Sequence, residues 1–274
     1  MVSNCYYCRS TERSYADDEN GFELVRCDSC GLLYVSNPPD LESIAKAATQ
    51  GLHPGDHELD VTGVFKPSKV KEYRRILNEI YDRRAPDEVR WLDIGCGHGE
   101  FLTALRDWGI PLSLLVGSEP NLKKQAVAVS RGFDVDFIDL DAHTDSYARI
   151  SLLNVYSHLP DPESFLTRVR SLLDPDGELL LQTGDTAVFS DRDLPRPLLL
   201  PDHLSFVTEE IMRGLLDRCG FEVVSIQKYP WIRFTPSTIM KEAVKLMIPG
   251  RVSKLREMGR VVRSDMWVRC RRRD

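Results

Sequence analysis

The sequence predicts an α/β fold in which helices cover both faces of a mostly parallel sheet, preceded by a small cysteine-rich module. Three observations lead to this prediction. Short apolar runs alternate with segments of helical periodicity along most of the 274 residues. A glycine-rich turn follows the first strand-like run, and four cysteines stand in two close pairs near the N-terminus. A chain of this length can build one large core with a satellite module beside it.

The segments before the glycine-rich turn are predicted to be a connection, a helix and a strand. Residues 41–66 contain three glycines and a proline, with weak periodicity, which predicts a linker with a short helix over Leu41–Thr49. From Pro67 onward apolar residues recur at spacings of three and four, so we expect a helix that ends at Pro86. Val89–Ile94 is a short apolar run and is predicted to be the first strand of the sheet.

The alternation of strands and helices continues beyond this point. Helices are predicted over Phe101–Trp108, after Asn121, and from Asp161, where a capping acid, a proline and a glutamate follow one another. A later helix runs from Thr208 to Gly220. The other strands are predicted over Leu112–Gly117, Phe133–Phe137, Ile150–Val155, Leu179–Thr183, Phe221–Gln227 and Met266–Arg271. This order predicts a parallel sheet between two layers of helices.

The composition limits the class of protein. Hydrophobic residues make up 42% of the chain and charged residues 28%, which is ordinary for a globular protein. No apolar run reaches the ~20 residues of a membrane helix, and no signal-like segment opens the chain, so we expect a cytoplasmic protein. The net charge is −6, yet residues 240–274 hold eleven Lys or Arg against four acids. This asymmetry indicates either a solvated basic helix or an anionic partner.

Four cysteines predict a structural zinc site within residues 1–40. They are Cys5, Cys8, Cys27 and Cys30, in the pattern Cys-x2-Cys-x18-Cys-x2-Cys. Two cysteines on each of two turns can direct four sulfurs at one tetrahedral centre, which leaves no position open for water. Gly31 supports this prediction because a zinc knuckle needs a residue that tolerates a positive φ at that point. The alternative is two disulfides, which a reducing compartment disfavours.

The glycine-rich turn Asp93–Gly99 is a candidate ligand site. Glycine allows the backbone to turn sharply and to lie against a ligand with no Cβ between them. Glu119 ends the next strand, where its carboxylate can accept hydrogen bonds from both hydroxyls of a ribose. A dinucleotide site has Gly-x-Gly-x-x-Gly, whereas this turn is Gly-x-Gly-x-Gly. The shorter loop favours a ligand without a pyrophosphate, and a purely structural turn is the alternative.

The turn resembles motif I of the class I S-adenosylmethionine-dependent methyltransferases, in which Asp-x-Gly-x-Gly-x-Gly follows strand one. The resemblance extends over about residues 68–274: Asn154–Pro162 resembles the segment after strand four, and Gly220–Val224 the start of strand six. It implies a Rossmann-like sheet of seven strands, the last antiparallel, over residues 67–274. The cofactor residues that it implies are Asp93, Gly95, Cys96, Gly97, Gly99, Glu119, Asp139 and Asn154, with Asp141 as the alternative to Asp139 beside the adenine.

Two histidines are candidates for a catalytic base. Methyl transfer is an in-line displacement, and a hydroxyl acceptor needs a base because its alkoxide is costly at neutral pH. His158 follows strand four at the carboxyl edge of the sheet, where ligands bind in open α/β folds. His203 follows Asp202, and an acid beside a histidine can hold the imidazole in one tautomer. The alternatives are a packing role for His158 and a structural cap for His203.

A narrower resemblance concerns the run Asp202–Phe206. Bacterial sugar methyltransferases, including zinc-module C-methyltransferases of deoxysugar pathways, have Glu-His-Leu-Ser and an aromatic residue there, and the histidine is regarded as the base. This chain departs in Asp202 and in length, and the shorter layout resembles polysaccharide O-methyltransferases. The resemblance implies O-methylation of a sugar or glycan hydroxyl. Residues 185–207 and 229–264 are predicted to form the acceptor pocket.

Three other functions are open at this point. Transfer to carbon, or to another small molecule, would use the same cofactor site. Ribosomal RNA guanine methyltransferases also join a four-ligand zinc module to this fold, and Arg269–Arg273 would then contact phosphates. The confinement of the positive charge to one end of the chain argues against nucleic acid. A zinc-bearing binding module without catalysis is the last alternative, although the glycine loop and Glu119 are intact.

Overall fold

The computed structural model describes residues 4–85, 89–230, 240, 243–245, 247 and 264–273. In chain order the strands are β1 (Arg13–Glu19), β2 (Phe22–Cys27), β3 (Leu33–Val35), β4 (Leu52–His53), β5 (Leu59–Asp60), β6 (Trp91–Ile94), β7 (Leu115–Ser118), β8 (Asp134–Asp136), β9 (Tyr147–Leu153), β10 (Leu173–Gly184), β11 (Ser205–Phe206), β12 (Phe221–Tyr229) and β13 (Asp265–Arg272). The helices are α1 (Leu41–Gln50), α2 (Pro67–Ile80), α3 (Glu100–Trp108), α4 (Leu122–Ser130), α5 (Pro162–Ser171) and α6 (Glu209–Arg218).

The main sheet has seven strands in the order β12-β13-β10-β9-β6-β7-β8. The five strands from β10 to β8 in this order are parallel, and β13 runs antiparallel to both of its neighbours. The predicted seven-stranded Rossmann-like sheet with an antiparallel last strand is therefore confirmed. From β6 the chain continues to β7 on one side, and from β9 it continues to β10 on the opposite side, so the strand order reverses between β6 and β9. Ligands bind at such a switch point, outside the carboxyl ends of the strands.

Two apolar layers cover the sheet because successive residues of a strand point to opposite faces. On β10, Leu179 and Leu181 belong to a core cluster that includes residues of α5 and α6. Leu180 lies between them in sequence and belongs to the opposite cluster, with residues of α2, α3 and α4. Helices therefore pack on both faces, as the alternation of elements predicts.

The predicted helix starts agree with the structure. Pro67 occupies the first turn of α2, and Asp161 caps α5 by accepting from the backbone N–H of Ser164 at 3.1 Å. Asn121 caps α4 in the same way, through the N–H groups of two lysines. These side chains satisfy N–H groups that have no partner inside the helix. The predicted stop at Pro86 is wrong, because α2 already ends at Ile80 and Asp82 and Arg83 after it have left-handed φ values of 50° and 61°.

Two strands begin three or more residues earlier than predicted. Strand β9 begins three residues before Ile150, at Tyr147, and β10 begins at Leu173 rather than at Leu179. Tyr147 and Leu173 are buried and pair with each other across the two strands. The polar turn residues 174–177 interrupt the register there, and they concealed the pairing in the sequence.

The N-terminal residues form a second, four-stranded sheet in the order β1-β2-β3-β11. Strand β11 comes from the far part of the chain and pairs antiparallel with β3, Ser205 opposite Tyr34 and Phe206 opposite Leu33. Cys5 and Leu32 are buried in the same core cluster as residues of β9 and α6. The N-terminal residues therefore share a core with the main sheet. The division into residues 1–40, 41–66 and 67–274 stays a prediction.

The basic C-terminal stretch has intramolecular partners where it is described. Arg269 lies 2.8 Å from the buried carboxylate of Glu178, and Arg273 pairs with Asp217. Most of residues 229–264, predicted to be basic and to contribute to the acceptor pocket, lie outside the described residues. Within the described part of the chain, no helix has the length and apolar character needed to cross a membrane.

Candidate active site

A cavity of about 940 Å³ opens at the carboxyl edge of the parallel strands. The glycine-rich turn after β6, the ends of β7 and β9, and residues 199–204 form its walls. A further wall comes from residues between 44 and 66, which the sequence predicts to be a linker. This segment is therefore part of the site and covers one side of it.

The glycine-rich turn has the backbone that the sequence predicts. Gly95, Gly97 and Gly99 all have a left-handed φ, at 73°, 57° and 85°. A Cβ on Gly95 would lie 2.4 Å from Cγ2 of Val155, so no larger residue fits there without movement. Cys96 between the glycines is buried, with its side chain turned into the core. The three glycines therefore leave their backbone open to the cavity, which Cys96 and His98 also line.

Glu119 lies beside this turn and is almost fully buried. Its Oε2 accepts from the backbone N–H of Gly97 at 2.7 Å, and its Oε1 accepts from that of Asn121 at 2.9 Å. Burial raises the pKa of Glu119, and the two N–H groups oppose that rise. Each carboxylate oxygen has a second lone pair. This arrangement fits a ligand that donates two hydrogen bonds, as the two hydroxyls of a ribose do.

Asp93 lies beneath the turn and is 2% exposed. Its Oδ1 accepts a hydrogen bond of 2.6 Å from Ser151, whose Oγ in turn accepts from the Trp91 indole. Burial raises the pKa of Asp93 to about 7. Asp93 thus links β6 to β9 and also borders the cavity.

The remaining predicted cofactor residues lie around the rim of the cavity. Asp139 and Asn154 are both exposed, and Asn154 has a left-handed φ of 60°. Asp141 also borders the cavity, and its carboxylate forms an ion pair of 2.7 Å with Arg168. Of the two acids considered beside the adenine, Asp141 is thus already paired with a cation.

A cluster of three histidines and one carboxylate also lines the cavity. The Oδ1 of Asp202 is 3.1 Å from Nε2 of His53 and 3.0 Å from Nδ1 of His158. The prediction that Asp202 holds His203 is wrong, because its carboxylate contacts these two histidines instead. The short 3₁₀ turn Tyr156–His158 places His158 beside Asp202, where its Nδ1 also lies 2.8 Å from the backbone carbonyl oxygen of Asp202.

His203 is held by a backbone carbonyl. Its Nδ1 lies 2.8 Å from the carbonyl oxygen of Leu198, and its ring centroid is 4.9 Å from that of His158. A carbonyl oxygen only accepts, so Nδ1 carries the hydrogen and Nε2 of the neutral ring keeps its lone pair. Burial, together with the charge of His158, lowers the pKa of His203 to about 4. His203 is therefore neutral near pH 7.

His158 has the opposite electrostatic environment. Burial alone would lower its pKa, but the hydrogen bond and the negative charge of Asp202 outweigh burial and raise it. The same contacts with His158 and His53 hold the pKa of the Asp202 carboxyl far below its ordinary range, against the effect of burial. The pKa values of the two neighbouring histidines are therefore shifted in opposite directions: the charged form of His158 and the neutral form of His203 are favoured.

Sequence analysis missed His53. Its side chain comes from β4 in the segment 44–66 and is 8% exposed in the folded chain. A histidine in a loop of glycines has no local pattern that marks it as part of a site. The contact with Asp202 depends on how this segment folds back over the sheet, which no short-range signal in the sequence encodes.

The four N-terminal cysteines converge. Their four Sγ atoms all lie within 4.8 Å of one another. The Sγ atoms of Cys5 and Cys30 are 3.6 Å apart, and those of Cys8 and Cys27 are 3.4 Å apart. All four are free thiols. Zinc–sulfur bonds of about 2.3 Å place the sulfurs of a tetrahedron about 3.8 Å apart, so this set fits the metal. The residue after each second cysteine has a left-handed φ, 65° at Arg9 and 79° at Gly31.

Comparison with known proteins agrees with this geometry. Residues 68–226, more than half of the chain, match a family described as a methyltransferase domain, and the chain therefore belongs to that family. It is 29% identical over 131 residues to the ubiquinone biosynthesis O-methyltransferase of Saccharophagus degradans, covering 45% of this chain and 55% of that protein. The chain thus spans about half the length of this relative.

Solved structures show the same fold at low identity. An S-adenosylmethionine-dependent methyltransferase from Mesorhizobium loti superposes with a TM-score of 0.51 and 17% identity, over 71% of this chain and 96% of that chain. One from Archaeoglobus fulgidus gives 0.51 and 17%, over 74% and 94%. The predicted methyltransferase family and the predicted fold are thus confirmed.

Proposed function

We propose that this protein transfers a methyl group from S-adenosylmethionine to a hydroxyl oxygen of a small-molecule acceptor. The observation that carries the proposal is the placement of a neutral imidazole, His203, in the same cavity as the glycine-rich turn and Glu119. One end of the cavity suits a nucleoside, and the other offers a group that can accept a proton.

The cofactor is proposed to lie against Gly95–Gly99 with its ribose on Glu119 and its adenine near Asp139. This placement is supported by the buried carboxylate with a free lone pair on each oxygen, and by the bare backbone of the turn. When bound, the cofactor supplies a methyl group on a positively charged sulfur, which leaves as a neutral thioether. The task of the chain is then to align and to deprotonate the acceptor.

His203 is the proposed base. As the new O–CH3 bond forms and the S–CH3 bond breaks, the hydroxyl proton passes to Nε2, whose lone pair is free because Nδ1 donates to Leu198. His158 is less suited to this role. Its pKa is raised by Asp202, so its charged form, which has no lone pair to offer, is favoured. His158, Asp202 and His53 are proposed to orient the acceptor and to hold the cavity wall.

A sugar or glycan hydroxyl is the proposed acceptor. The run Asp202–Phe206, which resembles that of sugar methyltransferases, lies in the cavity wall, and the imidazoles and carboxylate at this end suit a ligand with several hydroxyls. The named relative favours a second candidate, a hydroxyl of a ubiquinone-type precursor. The internal ion pairs of Arg269 and Arg273 give no support to an RNA acceptor.

A structural zinc ion on Cys5, Cys8, Cys27 and Cys30 is also proposed. The fit of the four sulfurs to a tetrahedron and the two left-handed residues that follow the pairs support it. A reducing compartment such as the cytoplasm, which is the proposed location, would keep these four cysteines available for the metal. A closed four-thiolate site carries no chemistry of its own, so its role is to stabilise the fold.

Transfer of labelled methyl groups to nucleotide sugars, glycans and small phenols tests the function. With the acceptor found, we expect His203→Ala to lower kcat by ~10²–10⁴ with an unchanged Kd for the cofactor. His158→Ala is expected to lower kcat less, and His143→Ala, whose imidazole contacts Tyr147 instead, serves as the matched control. Near-full activity of His203→Ala would exclude it as the base.

The pH profile of the wild-type protein distinguishes the two histidines. A base works unprotonated, so activity is lost as the pH falls through its pKa. With His203 as the base, kcat should hold down to about pH 4, as far as the fold survives. With His158 as the base, kcat should already fall above its ordinary value of 6.5, because the pKa of His158 is raised.

A further inference from the structure

The loop that holds His203 is itself held by a residue of the N-terminal sheet. Glu19, at the end of β1, accepts from three consecutive backbone N–H groups. Its Oε2 lies 2.9 Å from the nitrogen of Leu198, and its Oε1 lies 2.5 Å from that of Leu199 and 3.2 Å from that of Leu200. One carboxylate thus accepts hydrogen bonds from three successive backbone amides. The carbonyl oxygen of Leu198, the first of these residues, accepts the hydrogen bond from His203.

The loop has a conformation that needs such support. Leu199 has a left-handed φ of 62°, which a branched residue rarely adopts. Its carbonyl oxygen accepts from the backbone N–H of His203 at 3.1 Å, while that of Leu198 accepts from Nδ1 at 2.8 Å. Both contacts depend on the direction of the peptide groups that Glu19 binds. A carboxylate that binds the N–H groups therefore also sets where the carbonyl groups point.

The surroundings of Glu19 keep this arrangement in place. Leu198 and Leu200 are buried in an apolar cluster with Leu24 and Leu33 of the N-terminal sheet. The Glu19 side chain is 22% exposed, and Arg196 lies 3.6 Å from its Oε2 on the outer side. Charge-assisted hydrogen bonds are shorter and stronger than neutral ones, and a partly buried site screens them little.

We infer that Glu19 is a positioning residue for His203. Through the Leu198–Leu200 loop, it fixes the carbonyl oxygen that keeps the hydrogen on Nδ1 and leaves Nε2 free. The N-terminal module thus sets the tautomer of the imidazole in the cavity. The kinetic part of this inference rests on the proposed function, whereas the structural part, the tautomer of His203, does not.

The tautomer can be read directly by NMR. In protein with ¹⁵N-labelled histidine, protonated and unprotonated ring nitrogens differ widely in shift, and the His203 signals are those absent from His203→Gln. At pH 7 the wild type should have its hydrogen on Nδ1. Glu19→Ala should give a mixture of tautomers, and Glu19→Gln, which keeps one acceptor oxygen, a smaller change. Glu12→Ala, an exposed acid of the same module, should leave the tautomer unchanged.

Kinetics supply a second readout. We expect Glu19→Ala to lower kcat by about tenfold to a hundredfold, because the base is misplaced rather than lost, with the cofactor Kd changed by less than about twofold. If Glu19→Ala does not fold, the tautomer of His203 and kcat are measured in Glu19→Gln only. Folded variants at Glu19 with the wild-type tautomer and kcat would overturn the inference. If the wild type methylates no acceptor, the proposed function fails, and the tautomer in Glu19→Gln still decides this inference.

Discussion

Replacing Asp202 with asparagine should destabilise the protein in a way that depends on pH. In the wild type the carboxylate contacts His53 and His158 at 3.1 and 3.0 Å, and its side chain is 13% exposed. Hydrogen bonds to a charged group are worth about 1.5–3 kcal/mol each, and neutral ones about 0.5–1.5 kcal/mol. Asparagine keeps the shape and an acceptor oxygen but not the charge. The expected loss is therefore about 2–3 kcal/mol in the free energy of unfolding, summed over both contacts.

The sign of the pH dependence follows from the two pKa shifts. The pKa of Asp202 is lowered, so its contribution is present above its ordinary value of 3.8 and is lost as the pH falls through the lowered pKa. The pKa of His158 is raised, so its contribution is complete below 6.5 and is lost as the pH rises through the raised pKa. The effect of Asp202→Asn should therefore be largest between pH 4 and 6.5 and smaller at about pH 9.

Thermal unfolding of both proteins at pH 6 and pH 9 measures this effect. A loss of 2–3 kcal/mol corresponds to a fall in Tm on the order of 4–12 °C for a chain of this size. Asp145→Asn is the matched control, since Asp145 pairs with Arg90 on the surface and exposed ion pairs contribute little. A loss at pH 6 no larger than that of the control, or equal losses at the two pH values, would refute the proposed ion pair of His158 and Asp202.

Two further predictions concern the proposed cofactor site and the cysteine cluster. Glu119→Ala should weaken S-adenosylmethionine binding at least about tenfold, since two hydrogen bonds to a charged group are lost, and an unchanged Kd by calorimetry would remove Glu119 from the site. Cys27→Ser should abolish stoichiometric zinc and lower Tm, because Cys27 is 1% exposed in the shared core. Metal analysis checks this, with Cys219→Ala, also buried but outside the cluster, expected to retain the metal.

Local patterns were enough to predict most of the fold. Apolar runs and capping residues such as Asn121 and Asp161 encode elements whose causes lie within a few residues, and the order of those elements limits the sheet to few topologies. The glycine-rich turn and Glu119 were found for the same reason, because each follows a strand whose end is visible in the sequence. The spacing of the cysteine pairs likewise predicts that they form one cluster.

The partners within the histidine cluster could not be predicted in this way. Asp202 is adjacent to His203 in the sequence, and adjacency suggested a pair, but the backbone turn directs the carboxylate to His158 and His53 instead. The contacts of His53 with Asp202 and of Glu19 with Leu198 each join residues more than a hundred positions apart in the chain. Such contacts depend on how separate segments pack, and hydrophobic periodicity carries no information about which polar groups meet there.

Two sets of contacts join the N-terminal residues to the loop that carries His203, the candidate base. They suggest a role for the cysteine-rich module that precedes the main sheet. Beside Cys5, the Tyr6 hydroxyl bonds that of Tyr156 at 2.6 Å and lies 3.2 Å from Ser205 Oγ. Tyr156 begins the turn that carries His158, and Ser205 lies two residues after His203 in the strand that completes the N-terminal sheet. Glu19 supports the same loop from the other side. A metal that fixes Cys5 would thus fix one anchor of the loop, since Tyr6 is its neighbour in the chain. The stability of the cysteine cluster and the geometry of the acceptor end of the cavity are therefore physically linked.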